Sequence, residues 1–339
     1  MSRRKWKAGS IGHADVKGRA GGNEFAVPMT SMTSPRIAVV LGGGGARGLA
    51  HIPVLEALDE LGLKPVMIVG TSIGAVCGWP FAAGMTGKEL RTHTMSLLTS
   101  RTGILQRLRG TGRSRLLELA QLAPWGKALL SAELLLEIIV PEGIAKTFEA
   151  LHIPLQVVAT DFHGQAQAVF DKGAVLPAVA ASMAIPGLFA PVMLQRRAHV
   201  DGGLVNPLPV DLAVPHADIT IAVQVSGAPL QPDAGHLPSA LETLSSSFQI
   251  IERSLVREKL KTVRPDVLLE PAIDRFRTLD FLKAAEILAA AEPIKEQLKR
   301  ALVLRLEGPE ATRSVRTDKV ALEPPRERPL LTTREKGGA

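Results

Sequence analysis

A serine flanked by two glycines, at the junction of two apolar segments, constrains this chain more than any other feature. The sequence Gly70-Thr71-Ser72-Ile73-Gly74 follows the apolar run 66–69 and precedes the small, apolar segment 73–83. The run predicts a buried strand and the segment a buried helix. A Gly-x-Ser-x-Gly sequence between strand and helix is typical of a nucleophile elbow, in which a sharp turn exposes the serine hydroxyl. The local alternative is a plain Gly/Ser loop.

A glycine-rich loop, Gly43-Gly44-Gly45-Ala46-Arg47-Gly48, follows the predicted strand 36–41 and has two interpretations. A dinucleotide site would place a pyrophosphate at the following helix. That site needs an acidic residue at the end of the second strand, where this chain reads Val69-Gly70-Thr71-Ser72. The favoured interpretation is an oxyanion hole, made by the amides of Gly43, Gly44 and Gly45 with that of Ile73. Both loops follow strands of a predicted parallel sheet, so they should share its carboxyl edge.

The serine also needs a proton acceptor, and the sequence offers two kinds. The chain has eight histidines, of which His216 or His236 would complete a Ser…Asp…His order. Asp201 instead follows the strand-like segment 198–200 and precedes Gly202-Gly203, a position from which a carboxylate can meet a serine. The alternative for Asp201 is an ordinary Asp-Gly hairpin turn.

Strand-like and helix-like segments alternate along the chain, which predicts α/β layers around a largely parallel central sheet. The expected strands are 36–41, 66–69, 155–160, 167–171, 192–194, 199–200, 219–225 and 267–269. The expected helices are 46–61, 73–83, most of 87–140, 176–184, 241–261 and a pair within 279–304 broken near Pro293. The uncharged runs 65–87 and 173–195 contain prolines and glycines, so we interpret them as buried core and not as membrane spans.

The net charge of +7 belongs to the ends of the chain. Residues 1–36 carry +5 and residues 308–339 carry +2, so the segment between them is balanced. This argues against a nucleic-acid-binding fold, which would carry positive charge on its folded surface. We expect disordered tails at 1–35 and 306–339 around one domain at 36–305. The basic tails allow a loose attraction to an anionic membrane.

The chain contains a single cysteine, Cys77. It cannot form an internal disulfide, so nothing points to an oxidising compartment. We therefore expect a cytoplasmic protein, with any membrane contact peripheral and at the inner face.

Taken together, the motifs resemble those of patatin-like phospholipases, in particular the bacterial branch related to the catalytic domain of neuropathy target esterase. The similarity covers about 36–305 and has no departure at the motif positions. It rests on the glycine loop, the elbow and Asp201-Gly202-Gly203, and on the sequence at 44–51, 159–161, 181–187 and 201–209.

The resemblance implies a three-layer patatin-like fold and a serine lipid acyl hydrolase that works through an acyl-enzyme. Ser72 would be the nucleophile and Asp201 the base, and no histidine, metal or cofactor would be required. The glycine-loop amides would hold the oxyanion, and the substrates would be phospholipids, lysophospholipids and related esters. The remaining motif positions are Gly48, Gly70, Gly74, Gly202 and Gly203.

Two basic features have open roles. Arg47 either neutralises a lipid phosphate, fixes the glycine loop or lies on the surface at a helix start. Segment 101–115 carries five arginines and no acidic residue, which fits a solvated face or a membrane-facing flap. The competing functions are a histidine-using carboxylesterase and a non-catalytic lipid-binding or regulatory protein.

Overall fold

The computed structural model describes residues 35–98, 130–227, 237 and 240–306. Residues 1–34 and 307–339, which make up nearly all of the predicted tails, lie outside these residues. The arginine-rich segment 101–115 and His236 lie outside them as well.

One eight-stranded mixed sheet forms the centre of the described structure, which confirms the predicted α/β class. Its strands are β1 Ile37–Leu41, β2 Met67–Thr71, β3 Leu155–Asp161, β4 Ala166–Phe170, β5 Val192–Leu194, β6 Arg197–Asp201, β7 Ile219–Val223 and β8 Val267–Leu269. The order across the sheet is β5-β6-β3-β2-β1-β7-β8, and β4 pairs with β3. Strands β3, β2, β1, β7 and β8 run parallel to one another, whereas β4, β5 and β6 form antiparallel pairs at one side.

Nine α-helices accompany the strands in the described residues. They are α1 His51–Glu60, α2 Ile73–Ala82, α3 Gly87–Leu98, α4 Ala132–Ile139, α5 Val175–Ser182, α6 Val210–Ala213, α7 Ala240–Thr262, α8 Ala284–Ala291 and α9 Ile294–Leu306. The predicted break at Pro293 separates α8 from α9, because proline cannot donate the backbone hydrogen bond that would continue the helix.

Three details differ from the sequence prediction. The helix expected at 46–61 begins as a 3-10 helix, Gly45–Ala50, and becomes α-helical at His51. The hairpin turn lies at Gln195-Arg196, one residue earlier than expected, and both residues have positive φ. Helix α6 was not expected, because four residues are too few to show helical periodicity.

Helices cover both faces of the sheet, as the alternation of side chains along β1 shows. Ile37, Val39 and Leu41 contribute to the larger hydrophobic cluster, which also includes residues of α1, α2, α5, α8 and α9. Ala38 and Val40 contribute to a smaller cluster with residues of α6 and α7. Successive side chains of a strand point to opposite faces, so the sheet is the middle of three layers.

Within the part of the chain that the structure describes, no helix is both long enough and apolar enough to cross a membrane.

Candidate active site

The elbow at Ser72 is a strained turn between β2 and α2. Ser72 has φ 53° and ψ −123°, a backbone conformation that residues other than glycine rarely adopt. Helix α2 begins at the next residue, Ile73. Gly74 is required because a side chain there would meet the carbonyl oxygen of Leu41 at the end of β1. The turn therefore holds the serine at the carboxyl edge of the sheet.

The register of the sheet places the glycine loop next to the elbow. Strands β1 and β2 are parallel neighbours, and Leu41 pairs with Gly70. The glycine loop leaves β1 and the elbow leaves β2, so both lie at one edge. A methyl group on Gly43 would lie 3.6 Å from Cβ of Ser72. The loop consequently faces the serine.

Strand β6 brings Asp201 to the same place from 129 positions further along the chain. It runs antiparallel to β3, and Asp201 pairs with Ala159 at the end of β6. Ser72 Oγ donates a hydrogen bond to Asp201 Oδ2 at 2.7 Å. The other carboxylate oxygen, Oδ1, accepts the N–H of Gly203 at 2.7 Å. The glycine turn thus orients the carboxylate toward the hydroxyl.

Burial changes the chemistry of this carboxylate. Asp201 is 4% exposed and Ser72 is 5% exposed. Burial raises the pKa of Asp201 to about 6, whereas the hydrogen bonds from Gly203 and Ser72 act in the opposite direction. A carboxylate with a higher pKa accepts a proton more readily and is still ionised at neutral pH. The pair can therefore transfer a proton from the serine hydroxyl to the aspartate.

Ser182 is a supporting residue to which the sequence analysis gave no role. Its hydroxyl accepts the backbone N–H of Ser72 at 2.7 Å and donates to the carbonyl oxygen of Val158 at 2.6 Å. Thr160 similarly donates to the carbonyl oxygen of Asp201 at 2.7 Å. The side chains of Ser72, Ser182 and Thr160 are buried, so these hydrogen bonds fix the position of the elbow relative to the strand end that carries Asp201. The only sequence signal for Ser182 is a polar residue within an otherwise apolar helix.

The amides of the glycine loop do not all face the serine. The N–H of Gly43 donates to the carbonyl oxygen of Pro207 at 2.9 Å, so it is not free to hold an oxyanion, which corrects the prediction for Gly43. The segment that follows Asp201 brings the Pro207 carbonyl oxygen against the loop at Gly42 and Gly43, where it accepts this N–H. Within the described residues, the N–H groups of Gly44, Gly45 and Ile73 have no hydrogen-bond acceptor, and they stay predicted oxyanion donors.

The other motif glycines permit close packing around the site. A side chain on Gly48 would overlap that of Ile73, and one on Gly70 would meet the backbone of Ala75. Gly202 lies against the carbonyl oxygen of Val158, and Gly203 lies beside Asp201. These positions belong to the scaffold of the site and bring the loops within contact distance.

Arg47 fixes the glycine loop and is not on the surface. It is 1% exposed, and its Nε and Nη2 make long hydrogen bonds of 3.4 Å to the Gly44 carbonyl oxygen and Thr278 Oγ1. Burial is the main cause that lowers the pKa of its guanidinium. The surface position that the sequence allowed for Arg47 is therefore wrong, whereas its contact with a lipid phosphate stays a prediction.

No histidine in the described residues is hydrogen-bonded to the Ser72 hydroxyl, whose partner is Asp201. His51 is fully buried, its Nε2 lies 2.8 Å from the Gly42 carbonyl oxygen, and burial lowers its pKa to about 4. It supports the glycine loop as a neutral ring. His216 is exposed and lies just before β7, whose first residue pairs with Ile37 at the start of β1. His216 therefore lies at the amino edge of the parallel strands, opposite the edge that carries Ser72. The carboxylesterase alternative with His216 is therefore wrong.

Among the residues that the structure describes, no group of three or more histidine, cysteine, aspartate or glutamate side chains is arranged to hold a metal ion.

Comparison with known proteins decides the family. The family model of patatin-like phospholipase matches residues 39–214, which is more than half of the chain and includes the loop, the elbow and Asp201. The chain belongs to the patatin-like phospholipase family. This confirms the resemblance that the motifs predicted.

Two relatives are similar to this chain in sequence. An uncharacterized NTE family protein of Mycobacterium tuberculosis is 37% identical over 208 residues, covering 61% of this chain and 54% of the relative. The patatin-like phospholipase domain-containing protein 7 of Rattus norvegicus is 29% identical over 281 residues, covering 76% of this chain and 20% of the relative. The chain thus spans about half the length of the mycobacterial relative and a fifth of the rat one.

Among solved structures, VipD from Legionella pneumophila aligns over 79% of this chain and 67% of its own, with 14% identity and a TM-score of 0.43. Human GIVD cytosolic phospholipase A2 aligns over 80% of this chain and 60% of its own, with 13% identity and a TM-score of 0.40.

Proposed function

We propose that this chain is a serine lipid acyl hydrolase in which Ser72 and Asp201 form a catalytic dyad. The observation that carries the proposal is the 2.7 Å hydrogen bond from Ser72 Oγ to Asp201 Oδ2 at a strained elbow. Membership of the patatin-like phospholipases supports hydrolysis of lipids as the general activity. The dyad and the ester substrate are the specific parts of the proposal.

In the first half-reaction, Asp201 accepts the hydroxyl proton while Ser72 Oγ attacks the carbonyl carbon of an ester. The negative charge that develops on the carbonyl oxygen is stabilised by the N–H groups of Gly44, Gly45 and Ile73. Each such donor contributes on the order of 3 kcal/mol when it is aimed at the oxyanion. The intermediate then collapses, the alcohol leaves with the proton from Asp201, and the acyl group stays on Ser72.

In the second half-reaction, Asp201 accepts a proton from water, and the resulting hydroxide attacks the acyl-enzyme. Collapse of the second intermediate returns the proton to Ser72 Oγ and releases a carboxylic acid. No histidine takes part, because the carboxylate contacts the nucleophile directly. Its pKa of about 6 makes it a better base than an exposed aspartate.

The test is an assay of lysophosphatidylcholine and p-nitrophenyl butyrate with wild type, Ser72→Ala and Ser96→Ala. Ser96 is an exposed serine of α3 whose hydroxyl donates to the His93 carbonyl oxygen within its own helix, so it is a matched control. We expect Ser72→Ala to lose all but background activity and Ser96→Ala to keep the wild-type rate. A fluorophosphonate should label Ser72, which peptide mass spectrometry would locate.

Two results would contradict the proposal. Activity that survives in Ser72→Ala would remove the serine from the mechanism. Wild type that neither turns over these esters nor reacts with the fluorophosphonate would favour the non-catalytic lipid-binding alternative.

Peripheral contact with a lipid surface is part of the proposal. Helix α7 carries the exposed apolar side chains Leu244, Ile250 and Ile251, and it packs against the turn that follows Asp201. Apolar side chains beside the site suit entry of a lipid from a membrane surface. Pelleting with phosphatidylglycerol liposomes tests this: we expect Ile250→Glu to reduce the bound fraction, and equal binding of both proteins would exclude the helix.

A further inference from the structure

A second carboxyl group, from Glu252 on α7, reaches the space between the glycine loop and Asp201. A methyl group on Gly43 would lie 3.5 Å from Glu252 Oε1 and 3.6 Å from Cβ of Ser72, so the oxygen and the serine face the same side of Gly43. A methyl group on Gly203 would overlap Glu252 Oε1 and lie 3.1 Å from Asp201 Oδ1. The half-buried Glu252 therefore places a carboxyl oxygen beside Gly43 and Gly203, the two glycines that adjoin Ser72 and Asp201.

We propose that Glu252 is a further residue of the active site, with its carboxyl group facing the reacting ester. The neutral carboxyl group donates a hydrogen bond to the oxyanion, whereas the ionised carboxylate repels it. The inference rests on the proposed function, because it requires acyl transfer at Ser72. No bond to Glu252 forms or breaks in either half-reaction, and its proton stays in place.

The surroundings of this carboxyl favour its neutral form. Among the described residues, the charged groups that act on it are Asp201 at the end of β6 and Arg47 in the 3-10 helix after β1. The positive charge of Arg47 also interacts with Asp274, so it does not act on Glu252 alone. Burial is the largest cause that raises the pKa of Glu252 to about 8, Asp201 raises it further, and Arg47 acts in the opposite direction. Near neutral pH the group is a carboxylic acid.

The charge state decides what this group does to the reaction. A neutral carboxylic acid can donate a hydrogen bond to the oxygen on which negative charge develops. An ionised carboxylate at the same position would repel that charge in a site with little water. The rate should therefore fall as the pH rises through about 8, while ionisation of Asp201 at about pH 6 sets the acid side.

The test compares pH profiles of kcat/KM for p-nitrophenyl butyrate between about pH 5 and pH 9.5, with spontaneous hydrolysis subtracted. The proteins are wild type, Glu252→Gln and Glu258→Gln. The Glu252→Gln variant keeps a neutral N–H donor at this position, so we expect its plateau to persist above pH 8. Wild type should lose about thirtyfold by pH 9.5, because that pH is about 1.5 units above a pKa of about 8. Glu258 is an exposed partner of Lys261, and its variant should follow wild type.

A second measurement reports on the carboxyl without turnover. Its pKa is raised on folding, so the stability that its neutral form contributes is complete below its unfolded pKa of about 4.5 and is lost as the pH rises through about 8. Glu252→Gln should therefore have a Tm advantage over wild type that is larger at pH 9 than at pH 5. A Tm difference that is the same at both pH values would mean that folding does not raise the pKa of this carboxyl, which the proposal requires.

The outcomes separate the two proposals. Loss of activity in Ser72→Ala together with the same alkaline decline in wild type and Glu252→Gln would overturn the role of Glu252 alone. A wild-type profile that stays flat to pH 9.5, or a Tm difference independent of pH, would overturn it as well. Activity that persists in Ser72→Ala would overturn the proposed function, and the role of Glu252 with it.

Discussion

Replacing the proposed base with its uncharged analogue should make the protein inactive and more stable at the same time. In Asp201→Asn, the side chain keeps its shape and can still accept the Gly203 N–H, but it cannot take a proton from Ser72. A positioned general base contributes about 10²- to 10⁴-fold to a rate, so kcat/KM should fall by at least about a hundredfold. The stability should change in the opposite direction.

The magnitude of that stability change follows from the pKa of Asp201. The value rises on folding from 3.8 to about 6, and roughly two pKa units correspond to about 3 kcal/mol. The neutral form is the one that folding favours, so wild type is penalised progressively as the pH rises from about 4 to above 6. The amide of the Asp201→Asn variant would have no charge to bury. The variant's advantage in free energy of unfolding should be about 3 kcal/mol at pH 8 and about half of that at pH 5.

The assay is urea unfolding of wild type and Asp201→Asn at pH 5 and pH 8, followed by circular dichroism. Asp218→Asn is the control, since Asp218 is an exposed partner of Arg36 at the opposite edge of the sheet. Its variant should keep the wild-type catalytic rate. The reasoning is refuted if Asp201→Asn is less stable than wild type at pH 8, or if its advantage does not grow between pH 5 and pH 8.

Three further predictions concern the same site. Ser182→Ala should leave the buried N–H of Ser72 unpaired, costing about 1–3 kcal/mol in urea unfolding and lowering kcat; unchanged stability would contradict the role of its hydroxyl. Gly45→Ala should cost about 1–3 kcal/mol by thermal or urea unfolding, because Gly45 has φ 61° and its methyl group would overlap Thr278. Wild-type kcat/KM should rise about tenfold per pH unit below about pH 6, as Asp201 ionises, and then level off; a rate that is flat from pH 5 to pH 7 would contradict this base.

The general architecture was predictable because its signals are local. The apolar runs before the glycine loop and the elbow predicted β1 and β2, which the structure has at Ile37–Leu41 and Met67–Thr71. Strands that alternate with helices predicted the parallel part of the sheet, and Pro293 predicted the break between the last two helices. These features depend on hydrophobic period and on residues with unusual backbone freedom, both of which are read within a few positions.

Polar contacts between distant segments were not predictable in the same way. The sequence suggested three donors in the glycine loop, but the Gly43 amide bonds to Pro207, which lies in a different segment. It left Arg47 with three roles, and only its packing against Gly227 and Thr278 shows that it is enclosed. Neither outcome has a local signal, because each depends on which backbone groups pass nearby.

By itself, then, the sequence determined the elbow that carries Ser72, the glycine loop beside it and the α/β layers that bring the two together. The sequence also offered Asp201 as a base, but only the tertiary structure shows it 2.7 Å from the serine hydroxyl, with Ser182 bonded to the Ser72 amide and Glu252 beside Gly43 and Gly203. Backbone conformation is set largely by neighbours in the chain, whereas the direction and burial of a polar side chain depend on the registers of β6 and α7 against the sheet. Those registers also raise the pKa values of Asp201 and Glu252, because burial acts on a carboxyl only once the fold has closed around it.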